Sequence, residues 1–125
     1  MILNWVLAIG WMIVIFYLSS ISRMPGAGSL SKTDFDLISS IVHVILYAVL
    51  AFLWIRALLG SRVGVGKALI FGFLVSILYG ITDEFHQSFV PNREPYLSDW
   101  LLDVAGSLIA FYACRFKLKK QIKSK

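Results

Sequence analysis

The chain has 125 residues, of which 58% are hydrophobic, and its mean hydropathy is +0.78. A water-soluble domain of this length cannot bury so much apolar surface in one core, so the composition excludes a soluble globular protein and predicts an integral membrane protein. The net charge is +5, but half of the twelve cations lie in the last eleven residues. This distribution is typical of a basic segment beside anionic lipid and does not indicate a nucleic-acid-binding surface.

Four apolar stretches are long enough to cross a bilayer, which predicts an all-α integral membrane protein with a four-transmembrane-helix bundle in a single domain, 1–125. We expect the helices at about residues 2–18, 36–59, 66–87 and 98–116, followed by a basic tail at 117–125. The first stretch could be a signal peptide, but no cation precedes it and its apolar run is long for one. The sequence therefore favours a retained first helix.

The distribution of lysine and arginine predicts the orientation of the bundle. With a cytoplasmic N-terminus, nine cations lie on the inner side of the membrane and three on the outer side. Because cytoplasmic loops carry the excess of these residues, we expect both termini in the cytoplasm. The connections at 19–36 and 88–97 are then expected to face outward.

Ionisable residues lie inside three of the predicted helices, toward the end that we expect to face outward. At ~1.5 Å per residue, His43, Asp83 and Asp103 each lie roughly 8–9 Å below the outer end of their helix. A carboxylate that faces lipid costs at least ~2.5–3.5 kcal/mol, so these side chains should face one another inside the bundle. The same helices carry glycines that allow close packing, at Gly72, Gly80 and Gly106.

The third helix carries two polar stripes. Tyr79, Asp83 and His86 follow i, i+4, i+7 spacing, and Glu84 and Gln87 form the neighbouring stripe. Both stripes lie in the last turns of the helix, at the predicted outer end.

The second and fourth helices each add a polar face. Tyr47 lies one helical turn after His43. Asp99 and Asp103 share a face of the fourth helix, which we expect to begin after Ser98 as its N-cap. Each of these residues also has a purely structural explanation, such as a packed histidine or a carboxylate that meets the helix dipole.

Arg93 lies in the third connection, between Pro91 and Pro95. The two prolines stiffen this connection and can hold the guanidinium over the site, where it suits an anionic head group; pairing with a neighbouring carboxylate is the structural alternative. The sequence thus predicts a ligand-binding site made of His43, Tyr47, Asp83, Glu84, His86, Gln87, Arg93, Asp99 and Asp103.

A long and specific pattern runs through this region: Thr-Asp-Glu-Phe-His-Gln at 82–87, Val-Pro-Asn-Arg at 90–93 and Ser-Asp-Trp-Leu-Leu-Asp at 98–103. It resembles the signature of the VanZ-like family, and the spacing of His43 and Tyr47 extends the resemblance over about residues 30–112. The family consists of small membrane proteins named after a member linked to resistance to the glycopeptide antibiotic teicoplanin. The resemblance implies a multi-pass protein of the bacterial cytoplasmic membrane, and it supplies no reaction. Asn92 and Leu46 depart from the family, which usually has Gly and often has Glu at these positions.

Several functions remain open at this stage. The first is binding of an envelope lipid or glycan component, or of a glycopeptide antibiotic, with a contribution to teicoplanin-type resistance. The second is a membrane hydrolase or transferase acting on a lipid-linked substrate. Its candidate catalytic residues, and the candidate ligands of a divalent metal cofactor, are His43, Asp83, His86 and Asp103. Proton movement and a purely structural polar network are further alternatives, and an oligomer is possible.

Overall fold

The computed structural model describes residues 1–21, 32–91 and 96–123, without the side chains of residues 32, 34, 35, 122 and 123. The described chain forms four α-helices and no β-strand: α1 (Ile2–Ser20), α2 (Lys32–Gly60), α3 (Val65–Gln87) and α4 (Leu97–Lys123). Each helix contains a stretch long and apolar enough to cross a membrane. The prediction of an all-α protein with four such helices is confirmed.

Three predicted helix boundaries differ notably from the observed ones. α4 continues through the predicted basic tail to Lys123, because the lysines and glutamine of that segment are good helix formers and no glycine or proline interrupts them. Ser98, the predicted N-cap, lies inside the first turn, since the backbone N–H groups of Asp99 and Trp100 donate to the carbonyl oxygen of Tyr96. α2 begins at Lys32, earlier than the predicted residue 36.

α2 is the central helix of the bundle. It packs against α1, α3 and α4, while α3 and α4 also pack against each other and α1 packs against α3. The end of the bundle where α1 and α3 end and α2 and α4 begin is here named the site end. All the predicted site residues that the structure describes lie toward this end.

Glycines bring the helix backbones into contact, as predicted. A Cβ atom on Gly106 of α4 would collide with the carbonyl oxygen of Val44 and lie 3.1 Å from the backbone nitrogen of Ala48, both on α2. A Cβ on Gly72 of α3 would lie 2.9 Å from the backbone nitrogen of Ile55. The helices α2, α3 and α4 therefore form a closely packed unit.

α1 is attached mainly by side-chain contacts. Trp11 donates its indole N–H to the carbonyl oxygen of Leu46 at 2.9 Å, and the hydroxyl of Tyr79 donates to the carbonyl oxygen of Met12 at 2.7 Å. Ile15 is fully buried against α2. These contacts hold α1 across α2 and α3, beside the site end.

Candidate functional site

A histidine–aspartate pair joins α2 to α4. A hydrogen bond of 2.8 Å links Nδ1 of His43 to Oδ1 of Asp103, which is fully buried. The other imidazole nitrogen, Nε2, lies 3.9 Å from Oδ2 of Asp99, one helical turn earlier on α4. The i, i+4 spacing of the two aspartates therefore turns both of them toward the same histidine.

Gly80 of α3 makes room for this pair. A Cβ at Gly80 would lie 3.1 Å from Oδ2 of Asp103 and 3.3 Å from Cε1 of Tyr47. The ring of Trp100 lies on the same glycine, and its N–H donates to the carbonyl oxygen of Ile77 at 3.1 Å. Trp100 thus fixes the start of α4 against α3.

Glu84 lies one helical turn after Gly80 and faces the same interface. Its Oε2 accepts a hydrogen bond of 3.1 Å from the backbone N–H of Tyr96, immediately before α4. His43, Glu84 and Asp103 each offer one possible metal-ligand atom, and these three atoms lie within 4.8 Å of one another. We call His43, Glu84, Asp99 and Asp103 the acid cluster.

A small cavity of about 80 Å³ lies between α1, α2 and α3, next to the acid cluster. His43 and Tyr47 line it from α2, and Asp83 and Gln87 line it from α3, with the amide of Gln87 donating to Oδ2 of Asp83 at 3.0 Å. The remaining lining residues are Ile15, Leu18, Ser19, Ser39, Val42 and Leu46. The cavity has room for water or a small polar group of a ligand.

Several buried oxygen atoms of the site have no hydrogen-bond partner. Of the five buried side-chain polar atoms that lack a partner among the described residues, four belong here: the hydroxyl of Tyr47, Oδ1 of Asp83, Oε1 of Glu84 and Oδ2 of Asp103. Tyr47, Asp83 and Asp103 are all at least 96% buried. Such atoms destabilise a fold inside a membrane, so their concentration at one place indicates a site built for a ligand.

His86 occupies a different environment. Its Nε2 lies 2.9 Å from the hydroxyl oxygen of Ser20, and its ring stacks on Phe16 with a centroid separation of 4.2 Å. Both partners belong to α1. We call the contact of Phe16 and Ser20 with His86, together with that of Met12 with Tyr79, the α1 seam.

The structure therefore divides the predicted site residues into groups. It brings His43, Glu84, Asp99 and Asp103 together in the acid cluster, places Tyr47, Asp83 and Gln87 around the adjoining cavity, and places His86 on the α1 seam. Arg93 lies outside the described residues.

Glu84 was expected to bind ligand and offers an oxygen atom to a metal, but it was not among the four leading candidates for catalysis or metal binding. A signal for its position exists in the sequence. Gly80 lies on a face of α3 onto which side chains of α2 and α4 pack, and Glu84 follows it by one helical turn on that face.

The acid cluster is rich in carboxylates, and among the described residues its only counter-charge is the imidazole of His43. No lysine or arginine forms an ion pair with these carboxylates in the stretches 1–21, 32–91 and 96–123. A site of this kind attracts cations, amines and hydroxyl donors. Its His43–Asp103 pair also has the arrangement of a general base with an orienting carboxylate.

The comparison with protein families gives one match over nearly the whole chain. The family model described as VanZ/LLP1 matches residues 4–118, which include all the residues of the acid cluster and of the cavity. No curated protein and no solved structure matches the chain. With four helices that can each span a bilayer and a family match of this length, the chain is a multi-pass membrane protein that belongs to the VanZ/LLP1 family.

Proposed function

We propose that this protein binds the head group of an envelope lipid or glycan component, or of a glycopeptide antibiotic, and contributes to teicoplanin-type resistance. The observation that carries the proposal is the set of four buried oxygen atoms without partners around the His43–Asp103 pair. Natural folds keep such atoms where function requires them, because a ligand that supplies the missing hydrogen bonds or charge then gains affinity.

In our proposal, the bundle is oriented so that this site lies at the outer face of the membrane. The excess of lysine and arginine at the other end, nine against three, supports cytoplasmic termini. Envelope intermediates and antibiotics are accessible on the outer face. A fluorescent reporter fused after Lys125 is expected to fluoresce in the cytoplasm, and a periplasmic-type reporter active at that position would contradict the orientation.

The chemistry of the site indicates which part of the ligand it receives. Three carboxylates and an imidazole suit amines, hydroxyls or a bridging cation, while an apolar chain of the ligand can lie along the exposed apolar faces of the helices. Arg93, in the connection before α4, is proposed to meet an anionic group of the same ligand. A lipid-linked or lipid-bearing glycan has all three features.

The test is antibiotic susceptibility of a teicoplanin-sensitive bacterium that expresses the protein. The wild-type chain is expected to raise the inhibitory concentration of teicoplanin, and His43→Gln and Asp103→Asn to remove the protection while the protein level in the membrane is unchanged. Asp36→Asn is the matched control, because Asp36 is an exposed acidic residue on the same helix. Protection by both site variants equal to that of the wild type would refute the proposal.

A second function is favoured by the hydrogen bond between His43 and Asp103. This pair leaves Nε2 of His43 available as a general base, which fits a membrane hydrolase or transferase acting on a lipid-linked substrate. Incubation of the purified protein with polyprenyl phosphate or diphosphate lipids, followed by mass spectrometry, separates the two functions. A product that His43→Gln no longer forms supports the enzyme, and retained binding without product supports the binding function.

A further inference from the structure

The acid cluster has the spacing of a metal site. His43, Glu84 and Asp103 come from three different helices, and each offers one ligand atom within 4.8 Å of the other two. Two ligands on opposite sides of an ion with bonds of ~2.1 Å lie ~4.2 Å apart. Because only one pair of ligands can lie opposite each other, binding of one ion by all three atoms requires side-chain rotations that bring them closer together.

The unpartnered atoms are an independent observation that points to a ligand. Oδ2 of Asp103 and the hydroxyl oxygen of Tyr47 belong to side chains that are more than nine-tenths buried, and neither atom has a partner among the described residues. Oδ2 of Asp103 and the ring of Tyr47 both lie beside Gly80. A metal ion would satisfy Oδ2 of Asp103, since it takes a carboxylate lone pair without needing a hydrogen.

Charge leads to the same conclusion. Glu84, Asp99 and Asp103 converge on one imidazole, with no lysine or arginine of the described segments paired to them. Buried carboxylates are normally paired with a cation or bound to a metal. The second histidine cannot supply this charge, because its ring stacks on Phe16 and its Nε2 lies next to the hydroxyl of Ser20.

We infer that His43, Glu84 and Asp103 bind one divalent metal ion, with Asp99 close enough to serve as a further ligand. One imidazole with two or three carboxylates favours a transition ion such as Zn²⁺ or Mn²⁺ over Ca²⁺. With His43, Glu84 and Asp103 alone as protein ligands, at least one position on the ion remains open for an exogenous ligand. A phosphate oxygen fits such positions, and this last step, unlike the metal itself, rests on the proposed function.

The experiment measures metal in the purified full-length chain in detergent micelles. The protein is stripped with EDTA, dialysed against Zn²⁺ or Mn²⁺, and the bound ion is quantified by inductively coupled plasma mass spectrometry. We expect about one ion per chain for the wild type, and a loss of about tenfold or more in metal affinity for His43→Gln, Glu84→Gln and Asp103→Asn.

Two matched controls test the assignment. His86→Gln removes the other histidine of the chain, and Asp36→Asn removes an exposed carboxylate of α2. Both are expected to keep wild-type metal affinity. If His86→Gln loses as much metal as His43→Gln, or if the wild type binds no ion, the inference is overturned.

A measurement on the wild type keeps the inference testable if the cluster variants do not fold. A bound ion raises the unfolding temperature in proportion to the logarithm of its concentration, and EDTA reverses the effect. X-ray absorption of the Zn²⁺-loaded protein should show oxygen ligands with one nitrogen ligand, and a purely oxygen shell would exclude His43. Antibiotic protection without metal binding refutes this inference alone, whereas metal binding without protection refutes the proposed function alone.

Discussion

The two histidines of this chain lie at contrasting interfaces. His43 lies between α2 and α4, hydrogen-bonded to the buried Asp103 and close to Asp99, while His86 stacks on Phe16 and contacts a hydroxyl of α1. Nε2 of His86 contacts a neutral hydroxyl group, whereas carboxylates close to His43 have oxygen atoms with no hydrogen-bond partner among the described residues. A histidine inside a membrane helix therefore indicates a ligand site only when its neighbours are left unsatisfied.

The backbone contacts also differ between the α2–α4 interface and α1. At the α2–α4 interface a Cβ on Gly106 would collide with the backbone carbonyl of Val44, whereas a Cβ on Gly10 of α1 would have no atom of the described residues within 4 Å. The acid cluster thus lies in the closely packed part of the bundle, where helix positions are fixed by backbone contact. α1 borders the cavity and is attached by side chains.

The largest effect is expected from a methyl group at the α2–α4 interface. Gly106→Ala would force the α2 and α4 backbones apart, so we expect a loss of about 3 kcal/mol or more in the free energy of unfolding. Gly10→Ala, the matched change on α1, should be neutral within about 0.5 kcal/mol because its Cβ meets open space. Equilibrium unfolding in mixed micelles measures both. Equal effects of the two substitutions would contradict the division of the bundle.

Neutralising Asp83 is expected to stabilise the ligand-free protein. Asp83 is 4% exposed and accepts one hydrogen bond from Gln87, and its Oδ1 has no partner among the described residues. Asp83→Asn keeps the acceptor for Gln87 and removes a buried charge, so we expect a gain of about 1 kcal/mol in the free energy of unfolding, with reduced antibiotic protection.

Thermal unfolding of Asp83→Asn beside the exposed control Asp36→Asn measures this gain. A clear loss of stability in Asp83→Asn alone would show that the carboxylate of Asp83 is part of the scaffold and is not held ready for a ligand.

Much of the architecture follows from composition and spacing. The length of the apolar stretches and the helix-breaking residues between them were sufficient to predict four helices. The positions of His43 and Asp103 within their helices predicted that the two side chains lie at the same depth, and the 2.8 Å contact between them agrees with this. Both features depend on the period of the helix alone. The end of α4 was harder to predict, because the basic residues that end the apolar stretch are also good helix formers.

The sequence could not predict which neighbouring helix packs against each polar stripe of α3. Tyr79 and His86 share a stripe with Asp83, and the structure turns the two outer members toward α1. The spacing of residues shows which side of a helix they lie on. Which other helix faces that side depends on how all four helices are arranged. Gly80 carries part of the missing information, because side chains of α2 and α4 pack onto it and Glu84 follows it by one helical turn on the same face.

A moderate effect is expected at the α1 seam. The hydroxyl of Tyr79 donates to the carbonyl oxygen of Met12, so Tyr79→Phe should lower the free energy of unfolding by about 1 kcal/mol. Tyr17→Phe is the control, because Tyr17 is an exposed tyrosine of α1. If α1 is attached by side chains, Tyr79→Phe should also raise proteolysis of α1 without changing metal binding at the acid cluster. A loss of metal binding would mean that the two interfaces are coupled.

The smallest effect is expected from two hydrogen-bonded serine hydroxyls that lie next to Asp103, farther from the site end. Ser107 donates to the carbonyl oxygen of Asp103 at 2.8 Å, which leaves the hydroxyl of Ser76 to donate to Ser107 across the α3–α4 interface, also at 2.8 Å. Interhelical hydrogen bonds inside membranes contribute about 0.6 kcal/mol, so a double-mutant cycle of Ser76→Ala and Ser107→Ala should give a coupling of about that size. Strictly additive effects would mean that close backbone packing alone positions Asp103. A coupling of the expected size would mean that the closely packed part of the bundle, unlike α1, also uses buried hydroxyls to hold Asp103 in place.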